Sequence, residues 1–97
     1  MNYTLEPSKL FIEQFKELED KTNKSLSKRL LLLEQNPFRN KKLTFHGMIL
    51  FRIRFGDSHK EKRVIYSVDK NLIKLLFILD RKNDYKDLEI YLKKIGF

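Results

Sequence analysis

Three stretches in the second half of the chain, "MILFRIRF", "KRVIYSVD" and "NLIKLLFILD", follow one another with only short polar links between them. They are rich in branched and aromatic residues and end at turn formers, with Asp69, Lys70 and Asn71 making a tight link, so each reads as a strand. Consecutive strands on short links pair antiparallel. A chain committed to such a meander needs apolar groups from elsewhere to cover it.

The flanks supply them. Pro7 and Ser8 suit the first turn of a helix, and Leu10, Phe11, Phe15 and Leu18 follow at helical spacing. A second helix, starting near Thr22 or Asn23, carries Leu26, Leu30 and Leu33 on one stripe until Asn36 and Pro37 end it, which makes a helix hairpin. The stretch from Asn36 to Gly47 reads as a connector bearing Arg39, Lys41 and Lys42. At the C-terminal end "NDYKDLEIYLKKIGF" has Tyr85, Leu88, Leu92 and Ile95 at helical spacing, with acidic residues early and lysines late as a helix dipole favours. Near the start, "NYTLEP" is a short strand with Tyr3 and Leu5 on one side. The order is β-α-α-β-β-β-α, an α+β class with an antiparallel sheet, and 97 residues make residues 1–97 a single domain with one modest core.

The formal net charge is +8, from 21 Lys and Arg against 13 Asp and Glu, which favours a polyanionic partner such as nucleic acid and is equally compatible with a solvated basic surface. With no cysteine there is no disulfide framework, thiolate metal site or cysteine nucleophile. His46 and His59 have no companions at ligand spacing, so no metal and no other cofactor is expected. No run approaches the roughly 18 apolar residues of a membrane span, and "MNYTLEPSKL" lacks the pattern of a signal peptide. The expected location is the cytoplasm.

In "ILFRIRF" a period of two puts Ile49, Phe51, Ile53 and Phe55 on one face and Leu50, Arg52 and Arg54 on the other, away from the core. If the next strand pairs with it around "GDSHKEK", Arg63 falls close to Arg52 and Arg54. Like charges so placed repel unless an anion occupies the space between them. Arg81 and Tyr85 are expected to border the same cavity. The alternative is that these arginines are merely solvated and that Tyr85 anchors the last helix.

The combination of "FRIRFGD", "KRVIYSVD", an apolar strand and "LDRKNDYKDLE", preceded by a short strand, a helix hairpin ending in "NP" and a basic connector with Gly47, resembles the RelE family of toxins within the RelE and ParE superfamily. The resemblance spans essentially the whole chain. It implies a toxin of a type II toxin–antitoxin system that enters the ribosomal A site and cuts messenger RNA by attack of a ribose 2'-hydroxyl on the adjacent phosphate, without metal. It also implies a cognate RelB-like antitoxin as partner, besides the ribosome and mRNA. The stripe of Tyr85, Leu88, Tyr91 and Leu92 either docks an acidic amphipathic chain or packs on the domain's own sheet.

Arg52, Arg54, Arg63, Arg81 and Tyr85 match the family's site positions. Arg54, Arg63, Arg81 and Tyr85 are expected to form the catalytic set and Arg52 to bind RNA, with the basic residues Arg39, Lys41, Lys42, Lys60, Lys62 and Lys82 as further RNA-binding candidates. Guanidinium forks stabilise the charge gained by a phosphorane, so Arg63 and Arg81 are natural clamps. Relatives often carry lysine where Arg52 and Arg54 stand, and arginine is a poor proton carrier, so Tyr85 is expected to accept the proton, with Lys60, Lys62 or Lys82 supplying one to the departing oxygen. The link between Arg54 and Arg63 looks longer than in some relatives, and the spacing from Arg81 to Tyr85 shorter. Two other functions share these features: a ParE-like toxin that inhibits DNA gyrase without nuclease activity, and a non-catalytic RNA-binding module.

Overall fold

The computed structural model describes residues 3–81 and 86–96. Its elements are β1 (Thr4–Pro7), α1 (Lys9–Lys16), α2 (Asp20–Leu32), β2 (Lys41–Phe45), β3 (Met48–Asp57), β4 (Lys60–Asp69), β5 (Leu72–Asp80) and α3 (Lys86–Lys94). The strands form one sheet in the order β1-β5-β4-β3-β2. From β2 to β5 all pairing is antiparallel, as expected for a meander, but β1 lies parallel to β5 and the sheet is therefore mixed. Parallel pairing needs a long connection, and the helix hairpin followed by the meander provides it.

One strand is added to the expected order. Lys41–Phe45, read as a connector, is the edge strand β2, joined to β3 by a two-residue turn in which His46 (φ 49°) and Gly47 (φ 78°) are both left-handed. Ser58 (φ 50°) and His59 (φ 64°) repeat this geometry between β3 and β4. Two left-handed residues in a two-residue link match the twist of an antiparallel pair. The stretch around Gly56 is consequently strand on both sides of a tight tip, not a long loop.

Both faces of the sheet are covered. On one, Phe11, Leu18, Leu26, Leu30 and Leu33 of the helix hairpin pack on Phe51, Ile53, Phe55, Val64, Tyr66 and Ile73. On the other, Leu88 and Leu92 of α3 pack on Leu50, Ile65, Leu76, Phe77 and Leu79. A bulge between Ile65 and Tyr66 gives β5 an extra residue, which puts Leu76 and Phe77 together in this second cluster. The face carrying Arg52 and Arg54 is thus half core, because α3 occupies one end of it. The apolar stripe of α3 serves the domain's own packing: Leu88 is 1% exposed and Leu92 4%.

Side chains close the gaps that the strands leave. Ser8 caps α1 by accepting from the Phe11 amide (3.0 Å) and donates its hydroxyl to the Leu76 carbonyl (2.5 Å). Beyond the end of β1 the outer edge of β5 is satisfied by Gln14, whose amide donates to the Ile78 carbonyl (2.9 Å) and accepts from the Ile78 amide (2.6 Å). Tyr66, stacked on Phe51 with ring centroids 5.3 Å apart, donates to the Pro37 carbonyl (2.8 Å) and accepts from Asn40 (3.0 Å), so the centre of the sheet holds the segment after α2. Burial pushes the Tyr66 phenol up from its ordinary pKa, against a smaller opposing effect of the Asn40 hydrogen bond. At the β3–β4 tip the Asp57 carboxylate accepts the Glu19 amide (3.1 Å) at the start of α2. The Thr22 hydroxyl holds Asp57 below the ordinary carboxylate range despite burial, helped by the Glu19 amide and the Lys62 ammonium.

Two measurements check this framework. Tyr66→Phe leaves the Pro37 carbonyl and the Asn40 amide without their partner and is expected to cost about 1–2 kcal/mol in denaturant unfolding. Because the folded Asp57 binds its proton less readily than the unfolded one, its stabilisation is present above the unfolded pKa and is lost as pH falls through the folded value. Asp57→Asn is expected to lower stability near neutral pH, and the gap from the parent chain is expected to close below about pH 4. A pH-independent gap would show that the carboxylate charge is not what matters.

Candidate active site

The register of the sheet determines which basic side chains meet. In an antiparallel pair, directly opposite residues point to the same face with Cβ atoms about 5 Å apart. On the α3 face, Lys41 of β2 stands opposite Arg52 of β3, which stands opposite Ile65 of β4. The next row is Arg54, Arg63 and Leu79. In the row after that Gly56 faces Glu61, and the register pairing Lys62 with Asp80 carries Arg81 to the position beyond Leu79 that faces Glu61. Arg52, Arg54, Arg63 and Arg81 therefore stand in successive rows on one face, the first two rows sharing Ile65, Phe77 and Leu79 with the core that α3 covers.

Burial differs sharply within this group. Arg63 is 6% exposed, held among core strands, whereas Arg54 and Arg81 extend into solvent and Arg52 is half-buried. Glu61 joins the two exposed arginines: one carboxylate oxygen lies 3.7 Å from Arg54 Nε and the other accepts from Arg81 Nη1 at 2.8 Å. From the opposite face Arg29 donates to the Arg54 carbonyl (2.6 Å), which fixes the backbone beneath that side chain. A cleft of about 740 Å³ between the hairpin and the start of α2 takes in Arg54 and Glu61, and a second of about 640 Å³ takes in Glu61 and Arg81. They meet at His59, Lys60 and Glu61, and neither is lined by Arg52 or Arg63.

The remaining expected residues divide by position. Lys41 belongs to the cluster, whereas Lys60, opposite Asp57 at the hairpin tip where the clefts meet, alternates with Glu61 to the helix-hairpin face. Lys62 falls between Glu61 and Arg63 on β4, so it projects to the other face, where it pairs with Asp80 at 3.5 Å. Lys42 stands opposite Phe51 and likewise shares the helix-hairpin face. Arg39 lines a small cavity with Arg29, Asn36 and Ile53, also on that side. Tyr85 and Lys82 lie outside the described residues. Sequence reasoning missed Glu61, although the period-two spacing from Glu61 to Arg63 to Ile65 carries the information that it shares the arginine face. Among the described residues no group of three or more His, Cys, Asp or Glu side chains is arranged to hold a metal ion, and no helix is long and apolar enough to cross a membrane.

A mutant of the E. coli toxin RelE in the free state superposes on this chain with a TM-score of 0.74, covering 98% of this chain and 99% of that one at 18% sequence identity. The chain has the RelE fold. The intact E. coli RelBE toxin–antitoxin complex contains a chain that matches with a TM-score of 0.64 and 20% identity, over 79% of this chain and 94% of that one. No family model and no curated protein matches the sequence. At such identities the RelE fold is carried by the pattern of buried and paired residues, and it sets the arginine rows on a sheet that α3 leaves partly open.

A patch with this charge is expected to bind single-stranded RNA with affinity that falls steeply with salt. Arg52→Ala is expected to reduce the slope of log K against log salt by about one. Fluorescence anisotropy of a labelled oligonucleotide across a salt series measures it, and an unchanged slope would put Arg52 outside the contact.

Proposed function

We propose that the chain is the toxin of a type II toxin–antitoxin pair, acting as a metal-independent endoribonuclease that cuts messenger RNA in the ribosomal A site. The observation that supports this reading is that Arg52, Arg54, Arg63 and Arg81 stand in successive rows on one face of a RelE fold. Directly opposed arginines are costly to a sheet and become favourable when a phosphate shares them.

In this reading Arg63, rigid and largely desolvated, is the fixed point of the site. Its guanidinium, with those of Arg54 and Arg81, stabilises the charge that accumulates on the phosphoryl oxygens. The 2'-oxygen forms a bond to phosphorus as the bond to the 5'-oxygen breaks, leaving a 2',3'-cyclic phosphate and a 5'-hydroxyl. Tyr85 takes the proton of the attacking hydroxyl, and Lys82 returns one to the departing oxygen. Arg52 and Lys41 sit one row further along and hold the neighbouring backbone. The proposed partner is an acidic RelB-like antitoxin, for which the net charge of +8 is a complement and the RelBE complex a precedent in a similar fold. The compartment of action is the cytoplasm, where ribosomes and messages are.

Arg63→Ala and Arg81→Ala are each expected to reduce cleavage by at least about 100-fold while the domain stays folded. Mapping new message 5' ends against ribosome position in a translating extract reads this. Cleavage undiminished in both variants, or intact messages together with inhibited gyrase supercoiling, would overturn the reading.

A further inference from the structure

We propose that Glu61 is a positioning residue of this site, whose carboxylate holds Arg54 and Arg81 in aim beside Arg63 at the expense of affinity for phosphate; in its catalytic part this rests on the nuclease reading above. The side chain rises from β4 two residues before Arg63, on the same face. Directly across from it is Gly56, which has no side chain to fill the space, so the carboxylate leans diagonally to Arg54 on one side and reaches Arg81 on the other. Diagonal neighbours on adjacent strands are within reach of long side chains.

The two arginines need such a support. Arg54 is 58% exposed and Arg81 66% exposed as side chains, while Glu61 is 30% exposed. A solvated arginine side chain samples many rotamers, and Arg54 is additionally repelled by Arg63 directly across the pair. Left alone, both would spread away from the buried guanidinium. A half-buried carboxylate that accepts from one and faces the other draws them to one point and offsets the repulsion. It also sits as an anion against Arg54 and Arg81, one row from Arg63, so its charge opposes binding of the substrate backbone there. Positioning and binding are therefore set against each other in one residue.

Glu61→Gln, which keeps the shape and removes the charge, separates the two. The full chain carrying it is expected to bind a 2'-O-methyl RNA oligonucleotide, which cannot be cleaved, roughly fivefold more tightly at low salt, as the loss of one nearby negative charge implies. Single-turnover cleavage on programmed ribosomes is expected to fall on the order of 100-fold, because the guanidinium groups are no longer held in place. A merely structural role would lower both together. The proposal is overturned by an affinity that does not rise or by an unchanged cleavage rate. Should the parent chain cleave nothing, the nuclease reading fails by itself. The positioning role is then decided by NMR relaxation of the Arg54 and Arg81 side-chain Nε groups, which loosen in Glu61→Gln if the carboxylate holds them and stay unchanged if it does not.

Discussion

The direct opposition of Arg54 and Arg63 across the β3–β4 pair is the constraint around which this molecule is organised. Like charges facing one another on adjacent strands destabilise a sheet by up to about 1 kcal/mol, and the cost rises when one of them is taken out of water. The register that imposes it is enforced on both sides. A two-residue turn at Ser58 and His59 sets the pairing, and the residues alternating with the arginines are buried under the helix hairpin. A slip by one residue would send Phe51, Ile53 and Phe55 to the arginine face and the arginines into the core. The apolar set on one face thus keeps the guanidinium groups together on the other.

What makes that second face usable is its division. Leu50, Ile65, Phe77 and Leu79 are sealed by α3, so Arg63 stands at the boundary between a dry core and an open surface. A charge in that position is held firmly and desolvated, whereas Arg54 and Arg81 reach water and depend on Glu61 for their direction. The hairpin that carries Arg54, Glu61 and Arg63 is in turn anchored to the start of α2 through Asp57 and the Glu19 amide, with a further contact from Ser58 to the Glu19 carboxylate. The site therefore lies on paired strands with a fixed tip, and its precision derives from strand register instead of loop conformation.

The meander, the helix hairpin and the closing helix were legible because each has a strong period: two in "ILFRIRF", about 3.6 through Leu26, Leu30 and Leu33, and again through Leu88 and Leu92. Strand β2 was hidden by its composition, since Lys41 and Lys42 on a short exposed edge look like a polar connector, and edge strands use lysine for that very reason. The parallel pairing of β1 was hidden because it depends on where the chain returns after the whole meander. Gln14 as the partner of the β5 edge has no local signal at all: its amide is spent on Ile78, 64 positions away in sequence.

By itself the sequence determined the alternation that separates arginines from core residues, the excess of positive charge and the set of basic side chains from which a site can be drawn, because these are properties of spacing and composition. Only the tertiary structure decided which of those side chains meet. Register placed Lys41, Arg52, Arg54, Arg63 and Arg81 on one face and turned Lys42 and Lys62 to the other, and it set a glutamate between two of the arginines. The physical reason is that cross-strand neighbours are set by backbone hydrogen bonding between segments far apart in the chain, and no local pattern encodes the row in which each residue will stand.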